Sequence, residues 1–371
     1  MGFDADAPGP AELLRADRFL IFWGDEPPST DTGRVRYLKM EMLAGTIGRS
    51  KRLARRLAAT ALYAGLDATG ANRRATQSSY SRLRVLAYHG LCPDSVRREA
   101  WVPSFFVTES AFRRQMQYLR RWFKPVSLRA AVEFAAQNGH FEPGAVAITF
   151  DDGYYNNLTL AGRILAEFTI PATVFLATRC VEEAQLLPHD RVRFIRLWRA
   201  AAGEPPIPEL EHFTRESIAS VLQQLDSLWP PYEARVTPEQ WETLRPMTWQ
   251  EVRSAPPLFD FGGHTHNHAI LGNETREVRR WEILESMRRI PEQGGRDAAV
   301  FSYPNGQKGD YDEGDKAVLR SIVCKAALSG IAGINPAGAD MLELRRLPVS
   351  LGHTSHAFHA ELSGLRHKLL S

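Results

Sequence analysis

Cysteine is scarce in this 371-residue chain. Cys92, Cys180 and Cys324 stand far apart, and no two of them form a Cys-x-x-Cys pair. That excludes a disulfide framework and a thiolate zinc site, and it favours a reducing compartment. Long hydrophobic runs are missing too. Residues Met1 to Pro10 carry two Asp and no basic residue, and the nearest apolar run, Phe19 to Trp23, is too short for a signal or membrane helix. The expectation is a protein made in the cytoplasm. Charge of one sign is not in excess: a formal net charge of +3 is too small to make nucleic acid the main partner. Neither an internal repeat nor a low-complexity tract is visible.

An apolar fraction of 44% is ordinary for a globular protein with a sizeable core. The length leaves room for one large barrel-type domain with an extension, or for two ordinary domains. Residues 1–80 differ in character from the rest of the chain. Pro8, Pro10, Pro27 and Pro28 mark irregular structure, and between Arg49 and Arg84 nine basic residues face one acidic residue, Asp67. A helix over 49–64, with Leu53, Leu57 and Ala61 spaced four apart and Gly65 placed to end it, would suit the surface of an anionic membrane. A solvated or barrel-capping helix is the alternative.

From residue 81 onward strand and helix patterns alternate. Strands are predicted at Leu83–Gly90, Ala145–Phe150, Ala172–Leu176, Leu258–Phe261, Val300–Tyr303, Ala326–Ser329 and near Leu347–Val349. Seven strand-then-helix repeats imply a parallel α/β barrel. A long helical insertion over about 182–246 separates the third strand from the fourth. Thr237-Pro238-Glu239-Gln240 and Thr248-Trp249-Gln250-Glu251 read as capping boxes. Such an insertion forms either one side of a substrate groove or a packing embellishment.

The run Ala145 to Phe150 drives straight into Asp151-Asp152-Gly153. A buried strand therefore ends in two carboxylates whose side chains point to opposite faces and can take two different jobs. More than a hundred residues later, Gly262-Gly263-His264-Thr265-His266-Asn267-His268 again follows a short apolar run and concentrates imidazoles. One Asp with two His is a usual composition for an open catalytic metal site. Its free position holds water, which zinc acidifies from a pKa of ~15.7 toward ~7.

Thr149-Phe150-Asp151-Asp152-Gly153 and His264-Thr265-x-x-His268 resemble the first two motifs of the polysaccharide deacetylases, the NodB-type carbohydrate esterases. The resemblance covers roughly residues 83–350 and implies a distorted (β/α)7 barrel. It implies that Asp151 is the general base, and that Asp152, His264 and His268 hold a divalent metal, with zinc favoured by the ligand set. The third motif of many relatives begins with an arginine. Here Phe301-Ser302-Tyr303-Pro304-Asn305-Gly306 lacks it, which leaves open what orients Asp151. Tyr303, Pro304 and Asn305 form the expected oxyanion turn, with the backbone N–H of Asn305 as donor. Arg345-Arg346-Leu347-Pro348 has no histidine where many relatives carry their acid. Ala87-Tyr88-His89 is similar to the Tyr-His of relatives acting on poly-N-acetylglucosamine, so His89 is taken as general acid ahead of His353, His356 and His359. His266 is placed behind the ligands or on the rim. Tyr154 and Trp249 are either sugar-stacking or core residues.

The activity so implied is removal of N-acetyl groups from an N-acetylated saccharide, whether polymer, oligomer or lipid-linked glycan. Two other readings stay open: an amidase for a non-sugar C–N bond, and a carbohydrate-binding or assembly protein that has lost catalysis.

Overall fold

The computed structural model describes residues 57–366, which fall into two compact units: 79–353, and a smaller one joining the N-terminal segment up to Ser78 to residues from Thr354 onward. Residues 49–56 of the expected basic helix lie outside the described residues. None of the described helices is long and apolar enough to cross a membrane.

The larger unit is a closed parallel barrel. Its strands are β1 (Arg84–Tyr88), β2 (Ala145–Phe150), β3 (Ala172–Leu176), β4 (Phe259–Gly263), β5 (Ala298–Ser302), β6 (Ala326–Ala332) and β7 (Leu344–Pro348). Each pairs in parallel with the next in sequence, and β1 closes the ring by pairing with both neighbours, Leu86 lying opposite Leu347 and Ile148. A two-residue strand, Lys124–Pro125, adds to β2 outside the ring. All seven expected strands are present. The last begins three residues earlier than its predicted core, because the charged pair Arg345-Arg346 reads as loop although Arg346 is buried.

Side-chain alternation sorts the residues of each strand. Val85, Ala145, Ala147, Phe175, Val300, Leu328 and Leu344 pack together with Leu128, Val132 and Phe141 from the helix and loop that follow Ser127. Burying each of the larger ones stabilises the fold by about 1.5–3 kcal/mol. Residues of the other parity meet the surrounding helices: the Tyr88 ring stands edge-on to Phe112 at 5.2 Å, and its hydroxyl donates to Gln115 Oε1 at 2.9 Å. Gly262 on β4 is required by close approach, since a Cβ there would lie 2.5 Å from the Val300 carbonyl oxygen.

The expected insertion between β3 and β4 is helical, with Pro188–Ala201, Ile218–Leu228 and Pro238–Leu244 as its main segments. Thr237 and Thr248 cap their helices as reciprocal boxes, and Ser127 caps Leu128–Asn138. Phe194, Trp198 and Tyr232 stack in series, with ring centroids 4.8 and 5.9 Å apart. The same apolar cluster reaches Tyr154 and Phe106 next to the rim of the barrel.

In the smaller unit a helix over 57–68 runs through Gly65 rather than ending there. A mid-helix glycine costs about 1 kcal/mol, and packing of Ala59, Tyr63, Leu62 and Leu66 against Ala357 and Ala360 of helix Ser355–Ser363 carries the helix past it. Leu57 and Ala61 of the expected stripe are exposed.

Candidate active site

The site lies where β1, β2, β4, β5 and β7 end. Asp151 continues the alternation of β2 and is buried, with its backbone N–H bonded to the Tyr88 carbonyl at 3.0 Å. Arg346 Nη1 on β7 lies 2.8 Å from its Oδ1 and 2.7 Å from its Oδ2, while Arg346 Nε donates to the Ser329 carbonyl at 2.8 Å. What orients Asp151, left open by the arginine missing from the expected third motif, is thus Arg346, arriving on the last strand. Burial raises the Asp151 pKa, but Arg346, then His264 and His89, outweigh it and hold the carboxyl below its usual value.

Asp152 turns the other way. Its φ is 75°, a left-handed conformation that strains a non-glycine residue by about 1 kcal/mol or more, and Gly153 follows at the same φ. Thr265 and His268, at 56° and 62°, repeat this strain in the facing loop. The result is convergence. His268 Nε2 is 3.0 Å from Asp152 Oδ1, and His264 Nε2 is 3.6 Å from the same oxygen. Asp152 Oδ1 is nevertheless buried with no hydrogen-bond partner among the described residues. His264 Nδ1 donates to the Ser302 carbonyl at 2.7 Å, which leaves Nε2 as a lone pair facing Asp152. A buried carboxylate oxygen without a partner, beside a tautomer-fixed imidazole, fits a divalent cation. Burial takes His264 down to about 4. His268 is also lowered by burial, but the adjoining Asp152, then Asp151 and Asp190, raise it above its usual value.

A further imidazole comes from the insertion. His189 opens helix Pro188–Ala201, and its Nε2 lies 3.8 Å from Asp152 Oδ2, with its ring 5.2 Å from that of His268. Donor atoms of Asp152, His189 and His268 all fall within 4.8 Å of one another. Tyr154 Oη is 2.9 Å from His189 Nε2 and donates to Asp190 Oδ2 at 2.7 Å. Burial pulls His189 down to about 3 and pushes Asp190 up to about 7. The sequence offered one signal for this group: a proline-started helix carrying adjacent His and Asp.

Other expected residues take varied places. His89 ends β1 with its ring 4.7 Å from Phe105, and its Nδ1 is buried without a hydrogen-bond partner among the described residues. Asn157 Nδ2 fixes this strand end by donating to the His89 carbonyl at 2.8 Å. Tyr154 is fully buried, a strut between Phe106, His189 and Asp190 rather than a sugar platform. Tyr303 is likewise a core residue: its ring stacks on Tyr311 at 4.0 Å and its hydroxyl donates to the Leu342 carbonyl. Pro304 is buried, and Asn305 is exposed with φ 57° and its amide turned to Asp310 Oδ2 at 2.7 Å. His266 faces Thr178 Oγ1 at 2.9 Å, behind the ligand loop. Asn267, not expected from the sequence, secures that loop by donating twice to the buried Glu282 carboxylate, at 2.8 and 2.6 Å. Trp249 packs near Gly294. His353 contacts Ser350, while His356 and His359 sit in the smaller unit.

The family model for polysaccharide deacetylase matches residues 138–321, from before β2 to beyond β5. A de-N-acetylase from Aggregatibacter actinomycetemcomitans has a similar fold, with TM-score 0.53 at 16% identity, over 76% of this chain and 99% of that one. A polysaccharide deacetylase from Bacillus cereus gives 0.51 at 15% identity, over 76% and 69% of the two chains. At these identities the likeness speaks to the fold. No curated protein matches the chain.

Proposed function

From the premise that the chain belongs to the polysaccharide deacetylase family and is an N-deacetylase, we propose a metal-dependent hydrolase for an N-acetylated saccharide of the N-acetylglucosamine type. The observation that carries this reading is the division of labour between neighbours: Asp151 bonded to Arg346, and Asp152 turned to the imidazoles with a buried oxygen unpartnered. Asp152, His264 and His268 are the proposed metal ligands. A cation bound there would polarise the acetamide carbonyl and acidify a water.

In this proposal Asp151 accepts the proton of the attacking water. Arg346 keeps that carboxylate ionised and aimed, so at neutral pH it is a base rather than an acid. Water adds its oxygen to the acetyl carbon, the C–N bond breaks, and acetate and the free amine leave. His89 donates the proton that the departing nitrogen takes up, which its place at the end of β1, within electrostatic reach of both carboxylates, supports. The backbone N–H of Asn305 is the proposed donor to the oxyanion.

The test is acetate release from N-acetylglucosamine oligomers and lipid-linked N-acetylated saccharides, by metal-stripped and zinc-restored protein. Release that returns with zinc supports the proposal and begins to narrow the saccharide. Equal release by stripped protein would remove the metal, and zinc uptake without release from any member would remove this substrate class.

A further inference from the structure

A second cluster of metal-ligating side chains lies in the smaller unit and has no part in the reaction above. His356 and His359 stand three apart on helix Ser355–Ser363, so both imidazoles lie on one face. Their Nδ1 atoms lie 2.6 and 2.8 Å from a single oxygen, Oδ2 of Asp67 on the 57–68 helix. The other carboxylate oxygen, Oδ1, accepts from Asn72 Nδ2 at 2.6 Å. Asn72 is only 4% exposed, and Ser363 Oγ meets its side-chain oxygen at 3.0 Å. The carboxylate is therefore oriented by a buried outer partner, as metal-binding carboxylates are.

We propose that Asp67, His356 and His359 form a second divalent-metal site, of the zinc class, that clips these two helices together. One imidazole would suffice to satisfy Asp67 Oδ2, and the His356 side chain, 46% exposed, has solvent available to it. Both rings instead turn the same nitrogen inward, and the three donor atoms converge within 4.8 Å of one another. Two imidazoles and one carboxylate are ligands that zinc favours, with water taking the remaining position. The present spacings are those of N–H···O bonds. Ligands about 2.0–2.1 Å from a tetrahedral zinc stand roughly 3.3 Å apart, so binding of the metal opens the cluster by about half an ångström. Side chains this exposed can make that move. Each imidazole would then carry its proton on Nε2 and stay neutral. The clip would join positions 289 and 292 residues apart in sequence, which constrains the unfolded chain as well as the folded one.

Zinc bound by the full chain at equilibrium with micromolar free Zn(II) tests the proposal. The unaltered protein is expected to hold two zinc ions per chain. The variant His356→Ala/His359→Ala is expected to hold one, and so is Asp152→Asn/His264→Ala/His268→Ala, in which this cluster is the intact Asp-His-His group among the described residues. A barrel-site triple variant holding no zinc, or a double variant holding as much as the unaltered protein, would overturn it and leave a hydrogen-bonded cluster only. Should the double variant fail to fold, the triple variant decides alone. Failure of the barrel-site reading has a different signature: one zinc in the unaltered protein, kept by the triple variant and lost by the double one.

Discussion

The active site has two walls of different origin. One is built by barrel strands: Asp151 and Asp152 follow β2, His264 and His268 follow β4, and Arg346 lies on β7. The other is built by the insertion, which sets His189, Asp190 and the stacked Phe194 and Trp198 beside the loop carrying Tyr154. On the barrel wall Asp151 is bonded to Arg346, and Asp152 faces the convergent imidazoles of His264 and His268. The insertion wall is poorer in charge partners, and burial dominates there, pushing His189 down and Asp190 up. Strand ends thus supply aimed carboxylates, with His264 lowered by burial beside them. The insertion supplies groups that are close to neutral and packed, suited to shaping the site and excluding water.

The contrast between the walls meets its severest challenge at Arg346. Arg346→Ala leaves the Asp151 carboxylate buried and unpaired, and removing one partner of such a pair costs about 3–5 kcal/mol of stability. In the protein that still folds, the Asp151 pKa rises, so the acidic limb of the activity profile is expected to move to higher pH. Urea unfolding and a pH–rate profile check the two effects. An unmoved limb would mean that Asp151 is not the group titrated.

The same pair sets a pH dependence of stability. The folded pKa of Asp151 lies below the ordinary 3.8, so its contribution is fully present above that value and is lost as pH falls through the lower, folded value. Thermal melts taken downward from pH 5 are expected to show a loss at the acidic end that Arg346→Ala largely lacks.

On the insertion wall the effects are expected to be smaller. His189→Ala removes a group near Asp152 that is bonded to Tyr154, and should weaken zinc binding by about 10–100-fold, the range for an outer partner of a metal ligand. Equilibrium dialysis measures this without reference to activity. Unchanged affinity would assign His189 to shape alone. Smallest is Tyr154→Phe, which leaves Asp190 without its donor and should cost about 1–3 kcal/mol of stability, read by urea unfolding. A loss well above that would place the insertion among the principal supports of the site.

Most of the barrel wall was legible in the sequence. An apolar run ending in Asp-Asp-Gly, and a second ending in a His-rich loop, carry their chemistry at fixed spacing after strands; the two carboxylates diverge as expected, but through the left-handed turn at Asp152 after β2 ends at Phe150 rather than through strand alternation. Arg346 was hidden because a charged pair near a chain's end reads as a solvated loop. Its role depends on barrel closure, which brings β7 beside β1 and leaves a cation facing Asp151 across 195 residues of sequence. His189 was hidden for a similar reason, since a helix in an insertion declares its amphipathic face but not which neighbour that face meets. Tyr154, left open between a sugar-stacking and a core role, and Tyr303, expected in the oxyanion turn, both have core side chains. An aromatic residue next to a motif invites a role in binding, while both hydroxyls here satisfy buried partners within the core.

The proposed chemistry stands or falls with Asp151, and not its metal-facing neighbour, taking the proton from water. The decisive measurement is acetate release by zinc-loaded Asp151→Asn, set beside the unaltered protein at equal zinc content. A rate lower by about 10²–10⁴-fold, the usual worth of a general base, is expected, with zinc retained. Release within a few-fold of the unaltered rate at the same zinc content would contradict that role.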